Sequence, residues 1–115
     1  MSDCLFCKIA AGEIPSKKVY EDDDVFAFHD INPQAPTHVL VIPKTCIASL
    51  DKVGEAEREA MGALMERVAH VARMLGVNES GYRTILNTNR DGGQEVYHIH
   101  AHILGGKPMG PMVCR

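Results

Sequence analysis

Three histidines stand at every second position in Tyr97-His98-Ile99-His100-Ala101-His102-Ile103-Leu104. Imidazole carries protons and attacks electrophiles near neutral pH, and in its neutral form it ligates metals. A β-strand has period two, so a predicted strand here puts His98, His100 and His102 on one face. Ile99, Ala101 and Ile103 then point the other way, into a core. A helix would fan the rings around its axis. Glycine pairs at 92–93 and 105–106 bound the run with turn residues. Its internal position and its alternation with core residues distinguish it from a purification tag. Two uses remain open. The rings could converge on a zinc ion that keeps a free coordination position, or one could act as nucleophile, acid or base while its neighbours orient it. Just upstream, Gly92, Gly93 and the backbone amides of Gln94 and Glu95 can form a nest suited to phosphate. That combination favours phosphorus chemistry over carbonyl chemistry.

Other reactive residues carry less. Cys4-x-x-Cys7 has the spacing of a zinc half-site, but such a pair alone is equally a pair of buried or surface thiols. Asp22-Asp23-Asp24 reads as a solvated turn, because three adjacent carboxylates cannot all point inward. His29 reads as structural or exposed, and His70 as an exposed helix residue. Asp30 either caps the turn before Asn32-Pro33 or binds a ligand.

The elements that position these residues follow from pattern. Cys4 to Gly12 predicts a short helix stopped by glycine. Val19–Glu21 and Val25–His29 predict a hairpin around the acidic turn. Asp30 to Thr37 is a loop fixed by two prolines. His38–Pro43 is short, apolar and β-branched, which predicts a central strand covered on both faces. From about Gly54 to Leu75 runs one long helix, with Met61, Leu64, Met65, Val68, Val71, Ala72 and Leu75 as its apolar stripe. Glu55, Glu57 and Glu59 suit its start and Gly76 its end. Tyr82–Asn87 is a strand, 88–95 a polar loop, and the tail from Gly105 irregular. Strands in two groups around one helix give an α+β fold: a mostly antiparallel sheet of about five strands, one long helix and a short N-terminal helix.

The chain has 115 residues, which suits one domain over 1–115. Net charge is -3 with neutral histidines, so the basic footprint of a nucleic-acid-binding protein is missing. No stretch has the length and apolarity of a membrane span, and Met1-Ser2-Asp3-Cys4 does not open a signal peptide. These features predict a cytoplasmic protein whose cysteines are thiols or metal ligands.

His98-Ile99-His100-Ala101-His102-Ile103-Leu104 resembles the signature of the histidine triad superfamily. His29-Asp30-Ile31-Asn32-Pro33-Gln34-Ala35-Pro36-Thr37-His38 with Val-Leu-Val-Ile-Pro-Lys after it, and Asn87 through Tyr97, resemble its nucleotide-binding branch. The resemblance spans about Cys4 to Met112. It implies a purine nucleoside phosphoramidase acting on adenosine or guanosine 5'-phosphoramidates, aminoacyl-adenylates included. His100 takes the nucleophile position and would form a nucleotidyl-histidine without a metal. His102 matches the position that bonds phosphate or leaving group, and His98 and His38 match supporting positions. Asp30 matches the residue that grips the ribose, with Ile31 and Phe28 as walls for the base. Asn87, Gly93, Gln94 and Glu95 match the phosphate-side loop. Glu95 departs from the serine usual in eukaryotic members and resembles the bacterial ones.

The resemblance also implies a possible structural zinc on Cys4, Cys7, Cys46 and His98, with Cys114 a free thiol in the tail. It implies purine nucleotides of the AMP or GMP type as small-molecule partners and a homodimer. A second function fits the same residues, an AMP-binding adaptor whose hydrolysis is incidental; a third, a dinucleoside polyphosphate hydrolase of the same superfamily, disagrees with Gly92-Gly93-Gln94 and with Ala35-Pro36-Thr37-His38.

Overall fold

The computed structural model describes residues 4–113; Cys114 lies outside them. Five strands form one antiparallel sheet: β1 (Lys18–Glu21), β2 (Val25–His29), β3 (Thr37–Pro43), β4 (Tyr82–Ile85) and β5 (Ala101–Gly105), in the order β1-β2-β3-β5-β4. The helices are α1 (Leu5–Ala10), α2 (Arg58–Leu75) and the single turn α3 (Asn89–Gly92). The predicted α+β architecture is the observed one.

β3 is central because both its faces are apolar. Val39 and Val41 join Val25, Ala27, Ala101 and Ile103 beneath Leu64, Val68, Val71 and Ala72 of α2. Leu40 and Ile42 join Phe26 and Phe28 beneath Phe6 and Ile9 of α1. Covering both faces explains why this strand reads as a continuous apolar run. α2 is reached through a 3-10 turn, Glu55–Glu57, so the regular helix starts later than the expected Gly54. Gly76 ends it in the left-handed conformation, at φ 77°. Met65, placed in the stripe by its spacing, is instead 40% exposed.

Three other expectations need correction. The acidic turn is not simply solvated: Asp22 accepts the N–H groups of Asp24 and Val25, and Arg67 of α2 pairs with Asp22 at 2.8 Å and Asp24 at 2.9 Å. The polar loop at 88–95 contains the helical turn α3. The histidine strand is shorter than predicted, with only His102 of the three inside β5. Val41 pairs with Ala101, so the next pair on that side would set Ile99 against Pro43, which has no N–H to give. The chain leaves the ladder there, and the Ile99 N–H goes to the Ile47 carbonyl at 2.7 Å.

Among the described residues no helix is long and apolar enough to cross a membrane.

Candidate functional site

Proton positions on the histidines follow from their fixed partners. The backbone N–H of Gln34 donates to His38 Nδ1 at 3.0 Å. His38 therefore carries its proton on Nε2 and donates it to His102 Nδ1 at 2.9 Å. His102 then carries its own proton on Nε2. That atom is buried and has no partner among the described residues. An unmet buried donor costs about 1–3 kcal/mol, which a ligand acceptor would recover. His100 donates from Nδ1 to the carbonyl of His98 at 2.8 Å, which leaves its Nε2 lone pair free. The His100 and His102 rings lie 5.0 Å apart. A lone pair and an orphan N–H are thus set side by side.

Burial holds these rings neutral. It pushes His38, His98 and His100 below the ordinary imidazole value. His102, half-buried and facing His100 and His38, is pushed down to about 4, chiefly by desolvation. Asp30, His38 and His102 also bring donor atoms within 4.8 Å of one another, a spacing a metal could use. The hydrogen-bond chain argues against that use. His38 already accepts at Nδ1, so a metal on Nε2 would need a fully deprotonated ring.

His38, His100 and His102 line a cavity of about 520 Å³. Phe28, Ile31 and Asp30, expected to hold base and ribose, line it with Asn87, Gly93 and Glu95 of the expected phosphate side. Asp30 caps the turn, one carboxylate oxygen accepting the Asn32 N–H at 2.8 Å, and its other oxygen stands 3.4 Å from His38 Nε2. Ile31 is 98% exposed, an apolar side chain that nothing among the described residues covers. A larger neighbouring depression of 690 Å³ shares Asp30, Ile31 and His38 but reaches neither His100 nor His102.

Two expected site residues do not line the cavity. The Gln94 side chain is buried, accepting the Asn89 N–H and donating to the carbonyls of Ala48 and Val96. It braces the loop from behind. His98 is fully buried and meets the site only through the carbonyl that holds His100.

The His98 ring belongs to a second cluster. Its Nε2–H donates to the Pro43 carbonyl at 2.8 Å, so Nδ1 carries a lone pair. That nitrogen lies 3.1 Å from Cys4 Sγ and 3.3 Å from Cys7 Sγ. Cys46 Sγ is 3.7 Å from Cys4 Sγ, and all four donor atoms fall within 4.8 Å of one another. Three sulfurs and one nitrogen, with the second ring nitrogen anchored to a carbonyl, is a donor set that fits a tetrahedral metal. Burial, with the neighbouring thiols, pushes Cys7 up to about 12 and raises Cys46. Burial also acts on Cys4, but hydrogen bonds from Cys7 outweigh it and bring that thiol down. A bound cation would draw all three toward thiolate.

The model of the HIT domain matches residues 11–109. The chain belongs to the HIT domain family. This HIT protein is 52% identical over 111 residues to the purine nucleoside phosphoramidase of Escherichia coli K12, covering 96% of this chain and 93% of that one. A HIT family hydrolase from Legionella pneumophila has a crystal structure that superposes with a TM-score of 0.90 at 51% identity, over 93% of this chain and 96% of that one. A histidine triad protein from Clostridium difficile gives 0.93 at 47% identity, over 98% of both chains.

The HIT cavity has a wall that motif reading missed. Leu5, Phe6 and Ile9 of α1 line it, with Asn32, Leu40 and Val96. The Phe6 ring stands edge-on to His100 at 5.0 Å and to Phe28 at 5.5 Å. The i, i+3 spacing of Phe6 and Ile9 marks a helix face, but not which cavity it closes. Gln34 was also hidden, because it acts through its backbone N–H.

Proposed function

We propose that this HIT hydrolase is a purine nucleoside phosphoramidase working through a nucleotidyl-histidine. The observation that carries the reading is the pairing of a free His100 Nε2 lone pair with an unpartnered His102 Nε2–H on one cavity. The activity named for the Escherichia coli relative, at 52% identity, agrees with it.

The base lies between Phe28, Ile31 and the α1 wall, and the free oxygen of Asp30 accepts from the ribose hydroxyls. His100 Nε2 attacks the α-phosphorus. The P–N bond breaks, its electron pair leaves on the amine nitrogen, which takes up a proton from solvent water, and neutral His102 donates a hydrogen bond from Nε2–H to the phosphoryl oxygen without giving up that proton. The His98 carbonyl stabilises the Nδ1–H of His100 as positive charge builds on the ring, as the third member of a triad does. Water then attacks the phosphorus, releasing to solvent a proton that balances the one the amine took up, and breaking the P–Nε2 bond returns His100. No step requires a metal.

The Cys4, Cys7, Cys46 and His98 cluster holds a structural zinc in this reading, fastening α1 beside the active strand. A thiol-rich site of this kind suits the reducing cytoplasm. A homodimer is supported by the open edge of β4 and by Met65 and Met74, which are 40% and 52% exposed.

Turnover of an adenosine 5'-phosphoramidate against a diadenosine polyphosphate tests the reading. It predicts kcat/KM at least a hundredfold higher for the phosphoramidate. Equal rates, or preference for the polyphosphate, would overturn it.

A further inference from the structure

The cavity has an unusual charge inventory for a site that takes a phosphate. Asp30 and Glu95 bring two carboxylates, while no lysine or arginine stands among the described residues that line it. Among those described lining residues, positive charge could come only from His38, His100 and His102, and their hydrogen-bond chain uses each as a neutral ring. The phosphate is therefore held by hydrogen bonds without an ion pair. Excess negative charge on the rest of the substrate meets nothing that compensates it.

The two carboxylates are not equivalent. Asp30 already accepts the Asn32 N–H and faces His38. Glu95 is exposed and has no hydrogen bond or ion pair among the described residues. It follows Gly93 and Gln94 in the loop braced by the buried Gln94 amide, so its backbone is fixed while its charge is unspent.

Resting on the phosphoramidase reading, we propose that Glu95 selects the leaving group by charge: the preferred substrates are nucleoside 5'-phosphoramidates whose amine carries a further cationic group. Such a group neutralises both the substrate's phosphate and the Glu95 carboxylate. Leaving groups bearing carboxylates or phosphates add like charge to an anionic cavity and are disfavoured. The reacting bonds are those described above, since the second cationic group takes no part in P–N cleavage.

Three adenosine 5'-phosphoramidates of matched linker length test this, ending in an ammonium, a methyl or a carboxylate. In the wild type kcat/KM should fall in that order, by on the order of tenfold per step at low salt, and the spread should shrink as salt rises. Glu95→Gln should compress the series, and Glu95→Lys should reverse it. A flat series in the wild type, or a Glu95→Gln series with the full spread, would overturn the inference while turnover of the methyl compound left the phosphoramidase reading intact. Absence of turnover on all three compounds would overturn both.

Discussion

Each imidazole of the site is assigned by one hydrogen bond. The Gln34 N–H sets His38, His38 sets His102, and the His98 carbonyl sets His100. The chain works only with neutral rings, and burial supplies that by lowering the proton affinity of all of them. The sign for activity follows. In the proposed mechanism His100 attacks as the unprotonated ring, and its folded value lies below the ordinary 6.5. The acid limb of kcat/KM should therefore fall below pH 6.5, with a plateau through neutrality. A limb centred at or above 6.5 in the pH–rate profile would contradict the burial argument. Glu95 and Gln94 teach a different lesson at this scale. Both sit in the loop marked by the motif, yet one lines the cavity and the other is turned into the protein. The spacing of the motif could not separate them, because the separation depends on Ala48, 46 residues away.

At the scale of elements, α1 and its N-cap Cys4 have two jobs. Phe6 and Ile9 close the cavity, while Cys4 and Cys7 face His98. A metal on that cluster would clamp the helix to the segment that ends in His100. Stripping metal with a chelator should lower Tm by roughly 10 °C, and Cys46→Ser should lower it similarly and abolish the further effect of chelator. Metal analysis with thermal unfolding checks both; a metal-free wild type with unchanged Tm would refute the clamp. β5 shows where local pattern ran out. Its alternation correctly placed Ala101 and Ile103 in the core beneath α2. Its early end depends on Pro43 of another strand, which no window around the histidines contains. The same limit hid the role of α1: its amphipathic spacing was legible, but the face of the sheet it covers was not. Strand order, by contrast, was foreshadowed where burial leaves a mark, in the continuous apolar run of β3.

Across the whole molecule, a sheet covered on both faces buries three imidazoles, His38, His98 and His100, and half-buries a fourth, His102, together with its core. This couples folding to pH. The folded values of His38, His98, His100 and His102 all lie below the unfolded 6.5, so the unfolded chain binds more protons in the interval between. Stability is then full above about pH 7 and is lost as pH falls from 6.5 toward about 4, the value for His102. Asp22 acts in the same direction at lower pH. Burial would raise its carboxyl, but hydrogen bonds from Tyr20 and Arg67 and the backbone outweigh it and hold the group below 3.8. Tm measured across the acid range should fall steadily below pH 6.5; a constant or rising Tm there would contradict the sign.

The claim on which the functional account turns is a covalent bond from phosphorus to His100 Nε2. Rapid acid-free quenching of the protein during turnover of an adenosine 5'-phosphoramidate, followed by peptide mass mapping, tests it directly. The account predicts one adenylyl group on His100, absent from His100→Ala, whose turnover should fall by about a thousandfold or more. An adduct on another residue, or a His100→Ala variant that keeps wild-type turnover, would contradict it.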